Sequence, residues 1–87
     1  MELIYLRQAH KFIRKANQDL RSKLELELLQ IQQDPQIGKL LRGNLASLRS
    51  YKFIFKKVNY RIAYYIKNNI IVVAIATREN FYKDLQI

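Results

Sequence analysis

The chain has no cysteine or tryptophan, and its 87 residues include only one proline, two glycines and one histidine. Disulfides are therefore impossible, and a zinc site built from cysteine and histidine is excluded. The absence of cysteine suits a reducing cytoplasm. A chain of this length predicts a single domain, residues 1–87, with one modest hydrophobic core.

Long hydrophobic runs are also missing. The longest, residues 70–76, has the length of a strand and is far shorter than the ~20 apolar residues of a membrane-spanning helix. The first residues, MELIYLRQAHK, place an acid at position 2 and contain no long apolar centre, unlike a secretory signal. We therefore expect a soluble, cytoplasmic protein with no membrane partner.

Acidic residues are few, because 7 Asp/Glu stand against 16 Lys/Arg and give a net charge of +9. Residues 38–87 hold ten basic and two acidic residues, whereas residues 1–37 hold six and five. Between Lys39 and Lys67 there are eight basic residues and no acid. Such a one-sided field attracts polyanions. Composition alone leaves a nucleic acid, an acidic protein partner and simple solubility equally plausible.

A short strand and two helices are predicted in the first half of the chain. The strand is Glu2–Leu6, and the helices run from Gln8 to about Asn17 and from about Asp19 to Gln33. Asn tolerates the left-handed conformation at a helix end, so Asn17 is interpreted as a stop or hinge after the first helix, and Asp34-Pro35 ends the second. Apolar residues at helical spacing give each helix one stripe: Ala9, Phe12, Ile13 and Ala16 in the first, and Leu20, Leu24, Leu28 and Ile31 in the second.

After a predicted loop over Pro35–Asn44, three antiparallel strands are predicted from Leu48 onward, with turns at residues 56–59 and 67–69. A four-residue first turn and a two-residue second turn predict these strand pairs: Phe55 with Tyr60, Ile54 with Arg61, Lys52 with Ala63, Ile66 with Ile71, Tyr64 with Val73, and Ile62 with Ile75. The fold predicted is therefore α+β, with the strand and helical hairpin packed on an antiparallel sheet of about four strands.

The alternation of side chains divides this sheet into two faces. The face toward the helices is predicted to carry Phe53, Phe55, Tyr60, Ile62, Tyr64, Ile66, Ile71, Val73 and Ile75. The opposite face carries Lys52, Ile54, Arg61, Ala63, Tyr65, Ala74 and Ala76, with Arg78 continuing it. Cations beside small alanines predict a trough that suits a phosphate chain with stacked bases. A solvated sheet face with alanine as filler is the equal alternative.

The residue types available limit the chemistry. There is no cysteine nucleophile, and the acids lie mostly on the helices, so no metal or other cofactor is expected. GKLLRG lacks the GxxxxGK[ST] order of a phosphate-binding loop. Lysine, arginine and tyrosine remain, and these can cleave RNA without a metal because the substrate supplies the ribose 2′-hydroxyl as nucleophile.

The ordered segments KLLRGNLASLRSYKF, NYRIAYYI, IIVVAIAT and RENFY, after a strand and a helical hairpin that ends in Asp-Pro, resemble the RelE/ParE superfamily of type II toxin–antitoxin toxins, RelE-like branch. The resemblance covers nearly the whole chain. It implies a RelE-like fold and an endoribonuclease that cuts mRNA in the ribosomal A site, leaving a 2′,3′-cyclic phosphate and inhibiting translation. It also implies a cognate antitoxin as partner, and contact with operator DNA only indirectly, through the antitoxin complex.

The resemblance assigns the site residues by position. Lys52 matches a catalytic lysine that is a general-base candidate, and Arg61 matches the arginine on the scissile phosphate. Arg78 and Tyr82 match the arginine and tyrosine that complete the site, the tyrosine stacking on or orienting the target nucleotide. Arg49, Lys56 and Lys57 are expected to contact RNA phosphates.

Two departures from the family pattern stand out. Some RelE-like toxins have a second lysine two residues after the first, where this chain has Ile54, and the basic element before the terminal arginine is shortened to IATRENFY. Two alternatives therefore stay open. One is a ParE-like toxin that inhibits gyrase, and the other is a non-catalytic basic module that binds an antitoxin or nucleic acid.

Overall fold

The computed structural model describes residues 1–45 and 47–84; residue 46 and residues 85–87 of the predicted domain lie outside this part. The elements in chain order are β1 (Leu3–Tyr5), α1 (Arg7–Lys15), α2 (Gln18–Gln33), β2 (Lys39–Leu40), a 3-10 turn (Gly43–Leu45), β3 (Arg49–Phe55), β4 (Val58–Lys67), β5 (Asn69–Thr77), a second 3-10 turn (Arg78–Asn80) and α3 (Phe81–Asp84). No helix in the described ranges is long and apolar enough to cross a membrane.

The strands form one sheet in the order β1-β5-β4-β3-β2. This confirms the predicted α+β fold with an N-terminal strand and two helices on a sheet. The sheet is mixed rather than wholly antiparallel, because β1 runs parallel to β5 after the two helices have carried the chain back across the sheet. It has five strands rather than about four, because β2 forms within the predicted loop over Pro35–Asn44.

The helices pack their apolar stripes on one face of the sheet, as predicted. Ala9 of α1 is fully buried, and the other three stripe residues pack partly buried against the same cluster. In α2 the side chains of Leu24, Leu28 and Ile31 are buried, whereas Leu29 is exposed. The hydrophobic core therefore lies between the helical hairpin and the sheet, and the opposite face of the sheet is left for other contacts.

Asn17 joins the two helices, but not as a left-handed helix end. Its backbone is extended (φ −68°, ψ 169°), and its side-chain Oδ1 accepts a hydrogen bond of 2.9 Å from the backbone N–H of Leu20. Asn17 is therefore the N-cap of α2, which satisfies one of the unpaired N–H groups of the first turn. Asn17 therefore lies at the predicted break between the helices, but the left-handed conformation expected for it was wrong.

The β3–β4 hairpin has a two-residue turn, where a four-residue turn was predicted. Phe55 pairs with Val58, and the turn residues Lys56 and Lys57 have φ angles of 48° and 67°. Such a turn follows the twist of the strands, although lysine is an unusual residue for positive φ. The predicted pairs of Lys52, Ile54 and Phe55 were therefore wrong by two residues. A shift of two keeps every side chain on its predicted face.

The β4–β5 hairpin has the predicted register only away from its turn, because Lys67 pairs with Asn69 where a two-residue turn was predicted. Ile62 pairs with Ile75, but a bulge between Ala63 and Tyr64 pairs Tyr64 with Val72 rather than Val73. When the pairing register shifts by one residue, the side chains that follow point to the opposite face of the sheet. Ile70 and Val72 are therefore buried against the helices, in the places predicted for Ile71 and Val73. The predicted pairing of Ile66 with Ile71 was wrong for the same reason.

The Tyr64 side chain fixes the loop before β2. Its hydroxyl donates to the carbonyl of Pro35 at 2.7 Å and accepts from the N–H of Gly38 at 2.8 Å. Burial raises the pKa of Tyr64. A Cβ on residue 38 would lie 2.7 Å from the Tyr64 hydroxyl, so only glycine fits there. Arg49 adds to this junction by donating to the carbonyl of Gly38 at 2.8 Å.

We expect Tyr64→Phe to lower the free energy of unfolding by about 1–3 kcal/mol, because it leaves the Gly38 N–H without its acceptor and the Pro35 carbonyl without its donor. Chemical denaturation followed by circular dichroism measures this. Tyr65→Phe is the matched control, since Tyr65 is half-buried and packs on the opposite face of the sheet, away from Gly38 and Pro35. Equal stabilities of the two variants would contradict the role given to Tyr64.

A second polar connection joins α2 to β3. The Tyr51 hydroxyl donates to Glu27 Oε1 at 2.6 Å, and Lys23 Nζ lies 2.8 Å from the other Glu27 oxygen. Burial and the bond to Glu27 raise the pKa of Tyr51 to about 12. Burial works to raise the pKa of Glu27, but the hydrogen bonds from Lys23 and Tyr51 and the Lys23 charge outweigh it and lower that pKa. The ionised Glu27 therefore stabilises the packing of α2 on the sheet.

The Glu27→Gln variant is expected to be less stable than the original chain at neutral pH by about 1 kcal/mol. Folding lowers the pKa of Glu27 from its ordinary value of 4.5. The difference in free energy of unfolding between the two proteins is therefore fully present above pH 4.5 and disappears as the pH falls through the folded pKa. Urea denaturation of both proteins across the acidic range measures it. Glu25→Gln, on the exposed side of α2, is the control. A difference that did not change with pH would contradict this assignment.

Candidate functional site

The face of the sheet away from the helices brings Lys52 and Arg61 side by side. Lys52 of β3 pairs directly with Arg61 of β4, and Arg61 pairs with Ala76 of β5. This differs from the predicted pairing of Lys52 with Ala63, and the difference follows from the two-residue turn. Directly opposite residues in an antiparallel pair have Cβ atoms about 5 Å apart. The register therefore places two cations next to each other, beside a small residue.

A depression of about 260 Å³ lies at this point. It is lined by Lys52, Asn59, Tyr60, Arg61 and Arg78. Arg78 begins the 3-10 turn directly after β5, so the strand end carries it to the depression. Lys52 and Arg78 are exposed and Arg61 is half-buried. Three cations and no carboxylate in the lining suit an anion such as a phosphate.

Tyr82 lies on the other side of Lys52 and Arg61. It lines a neighbouring cavity of about 380 Å³ that also contains these two cations. Tyr82 is 57% exposed, whereas Phe81 is fully buried, and their rings meet edge to face at 5.2 Å. Of these two neighbouring aromatic residues, Phe81 therefore points into the protein and Tyr82 points to solvent. The four predicted catalytic residues therefore surround two adjoining depressions.

Phe81 supports the site from beneath. Its ring lies 5.5 Å from the Arg61 guanidinium carbon, within the range of a cation–π contact, and it packs in a second apolar cluster with Leu48, Ala63 and Ala74. Ala63 and Ala74 are fully buried in this cluster. The prediction of an open trough was therefore wrong at Ala63 and Ala74, which are covered. The small alanine side chains leave room for the Phe81 ring to reach the sheet.

The predicted phosphate contacts are not brought into the depression. Arg49 lies on the side of β3 that faces the helices, and its guanidinium donates to the carbonyls of Gln36 and Gly38. Lys56 lies 3.0 Å from Asp19 of α2, with both side chains exposed. Lys57 is exposed at the hairpin tip, and the tip is about 13 Å along the strand from Lys52. Contact of these three residues with RNA stays a prediction.

Ile54 shares the face of β3 with Lys52. It is 65% exposed and pairs with Asn59, which lines the depression. The side chain at position 54 therefore lies at the rim of the site, where some RelE-like toxins have a second lysine. An exposed isoleucine next to a cationic depression contributes no charge to it.

Several lining residues were missed by the sequence analysis. Asn59 and Tyr60 line the depression, although Asn59 was assigned to a turn and Tyr60 to the core. Ser50 lines the neighbouring cavity, and it could have been found because it has the same parity along β3 as Lys52. Among residues 1–45 and 47–84, no group of three or more His, Asp or Glu side chains is placed to share a metal ion.

Comparison with known families and structures gives consistent matches. The family described as "ParE-like toxin of type II bacterial toxin-antitoxin system" matches residues 3–86. A double arginine-to-alanine mutant of the E. coli toxin RelE in the free state superimposes with a TM-score of 0.72 at 20% identity, covering 94% of this chain and 90% of RelE. The intact E. coli RelBE toxin–antitoxin complex contains a chain with a TM-score of 0.69 at 19% identity, covering 85% of this chain and 92% of that one.

A more distant solved structure extends this series. The Helicobacter pylori protein HP0894 has a TM-score of 0.58 at 16% identity, with 91% of this chain and 96% of that chain covered. Among curated proteins, none matches this chain. The solved structures are all too different in sequence to show more than the fold, whereas the family match covers nearly the whole chain.

Proposed function

Since this chain belongs to the ParE-like toxins of type II bacterial toxin–antitoxin systems, we propose that it is an endoribonuclease of the RelE kind. It cuts mRNA on the ribosome without a metal and so inhibits translation. The observation that carries the proposal is the pairing of Lys52 with Arg61 at a depression that Arg78 completes, with the exposed ring of Tyr82 beside it.

Each of these side chains has a role in the proposed reaction. Arg61 and Arg78 bind the scissile phosphate and stabilise the charge that develops on its oxygens in the transition state. Lys52 is the general base that accepts the proton of the ribose 2′-hydroxyl, whose oxygen then attacks phosphorus. The bond to the 5′-oxygen breaks, this oxygen takes a proton from water, and a 2′,3′-cyclic phosphate remains. Tyr82 stacks on a base of the target and orients it.

The position of Arg61 gives it a particular advantage as the phosphate ligand. Its guanidinium is half-buried and rests near the Phe81 ring, so the side chain has little freedom to lose when a phosphate binds. A planar guanidinium also binds two phosphate oxygens at once. Lys52 and Arg78 are more exposed and can adjust to the substrate. This combination of one half-buried and two exposed cations supports positioning of a single phosphate.

The surrounding surface favours an RNA substrate. The net charge of +9 comes almost wholly from residues 38–87, which contain the three site cations. A field of one sign attracts a polyanion and increases its association rate, more strongly at low salt. The exposed cations around the depression therefore guide the RNA backbone toward it.

The proposal includes an antitoxin partner. A solved structure similar to this chain is the E. coli RelBE toxin–antitoxin complex, and another is RelE bound to a peptide of the antitoxin RelB. We expect this chain to bind a cognate antitoxin of its own, whose acidic residues would neutralise the basic face. Operator DNA would be contacted only through that complex.

Inhibition of gyrase is a second candidate function, and two observations favour it. The matching family is described as ParE-like, and Ile54 replaces a lysine found in some RelE-like toxins. The two functions differ in the damage that the induced toxin causes in the cell. Gyrase inhibition would change DNA supercoiling and cause DNA damage, whereas the proposed nuclease would produce truncated mRNA. A basic module without catalytic activity would produce neither.

We expect Arg61→Ala and Arg78→Ala each to relieve growth arrest, with mRNA cleavage reduced by about a hundredfold or more, because each variant loses charge stabilisation of the transition state. Mapping of mRNA 5′-ends after induction measures the cleavage. Arg14→Ala on α1, behind the sheet, is a matched control that removes an exposed arginine outside the site. If both site variants fold normally and remain fully toxic, the proposed site is wrong.

Ile54→Lys is expected to increase the rate of cleavage several-fold. The new ammonium would extend from the same face of β3 as Lys52 and add a cation beside the scissile phosphate. Because Ile54 is 65% exposed, the substitution should change the free energy of unfolding by less than about 0.5 kcal/mol. Cleavage of mRNA on purified ribosomes measures the rate, and Val58→Lys on the same hairpin controls for added charge. A rate equal to that of the control variant would contradict a site at this face.

A further inference from the structure

The side-chain amide of Gln8 on α1 is bonded to the backbone of β5. Its Nε2 donates to the carbonyl of Ile75 at 2.9 Å, and its Oε1 accepts from the Ile75 N–H at 2.8 Å. Both bonds are partly buried, and they join residues that are 67 positions apart in the chain. One side chain therefore supplies the donor and the acceptor that a neighbouring strand would supply to a residue of a sheet.

The bulge in β5 directs the groups of Ile75 toward Gln8. On the outer side of β5, β1 and the residue after it bond as far as the carbonyl of Val72. Backbone groups alternate between the two sides of a strand, so those of Ala74 would be the next to point outward. Val73 is an extra residue at the bulge, however, because Val72 and Ala74 pair with successive residues of β4. The outward groups therefore belong to Ile75.

The end of β5 beyond the bulge depends on this contact. In the described ranges, the strand pairs of β1 reach only residues 70–72 of β5. Ile75 is fully buried, and nearly all buried backbone N–H and C=O groups in native proteins are bonded. The helix α1 packs against β5, and Ala9, next to Gln8, is fully buried. Gln8 therefore holds the outer edge of β5 in the place where β1 no longer does.

This end of β5 carries part of the candidate site. Ala76 follows Ile75 and pairs with Arg61, and Arg78 follows two residues later. Three residues of a strand cover about 10 Å, so the Gln8 amide holds β5 about 10 Å before Arg78. Arg78 is exposed, so its position at the depression depends on the backbone that carries it.

We propose that Gln8 is a positioning residue for RNA cleavage. Its amide fixes the outer edge of β5 and so sets how the strand end presents Arg78 to the scissile phosphate. Gln8 lies outside both depressions and does not touch the substrate. The proposal rests on the proposed function and adds to it a residue on α1. A displacement of about 1 Å can reduce the rate of an enzyme by about a hundredfold, so a small movement of Arg78 is enough.

The test compares Gln8→Leu with Gln32→Leu in the full chain. Gln32 is the matched control, since its Nε2 donates to the carbonyl of Met1 at 2.9 Å and not to β5. In cleavage of mRNA on purified ribosomes, Gln8→Leu should lower kcat about ten- to hundredfold. KM should stay within about threefold, because the charge of Arg78 remains. Gln32→Leu should keep the original kcat. An unchanged kcat in a folded Gln8→Leu protein would overturn the proposal.

Combination with Arg78→Ala separates positioning from a general loss of structure. If Gln8 acts through Arg78, Gln8→Leu should lower kcat by less than about threefold further once residue 78 is alanine. Equal reductions in both backgrounds would mean a structural role alone and would overturn the proposal.

Gln8→Glu gives a milder change at the same position. Its carboxylate still accepts from the Ile75 N–H but cannot donate to the Ile75 carbonyl. The kcat of Gln8→Glu should therefore lie between those of Gln8→Leu and the original chain. Circular dichroism checks that each variant is folded. If neither variant folds, Gln8 is a structural residue and the proposal fails.

Measurements on the free chain separate this inference from the nuclease proposal. In Gln8→Leu, hydrogen exchange of the Ile75 amide should be at least about tenfold faster, and the NMR signal of the Arg78 Nε–H should shift. If both changes occur but the original chain cleaves no mRNA, the coupling of Gln8 to Arg78 stands and the nuclease proposal fails. If cleavage requires Arg78 but Gln8→Leu cleaves as fast as the original chain, the nuclease proposal stands and the inference fails.

Discussion

The register of the β3–β4 hairpin is the constraint on which the site depends. Two lysines at positive φ close the turn in two residues, and this sets Lys52 opposite Arg61. Positive φ costs a non-glycine residue about 1–2 kcal/mol, so the pairing of two long strands must offset it. With the four-residue turn the pairing would shift by two residues and Lys52 would face an alanine. The same side chains would then be spread along the face instead of meeting at one phosphate.

The site also depends on the second apolar cluster. Buried alanines on β4 and β5 let the Phe81 ring reach the sheet, and the ring in turn fixes the segment that carries Arg78 and Tyr82. The two faces of the sheet therefore differ in function, because one packs the main core and the other carries the candidate site. The helices cover a large core on one side, while on the other the Phe81 ring packs in a small cluster and Lys52 and Arg78 stay exposed to solvent.

Much of the fold and of the candidate site could be predicted from the sequence, because helical and strand periodicity are local patterns. The helix stripes and the face of Lys52 follow from spacing alone, and Arg49 has the parity of Phe53, which already placed it toward the helices. The bulge after Ala63 could not be predicted, since no glycine or change of pattern marks it. Whether Phe81 or Tyr82 points inward depends on the space above the buried alanines of β4 and β5, and only tertiary packing defines that space.

The pairing of β1 with β5 determines when the chain can complete its fold. Leu3 lies beside Ile70, so the first strand has no place in the sheet until the last strand has been synthesised. Contacts between such distant segments form slowly, because a long loop must close first. Until then the apolar stripes of both helices lack part of the surface that buries them. The newly made chain therefore passes through a stage in which it is exposed to aggregation and proteolysis and has no complete site.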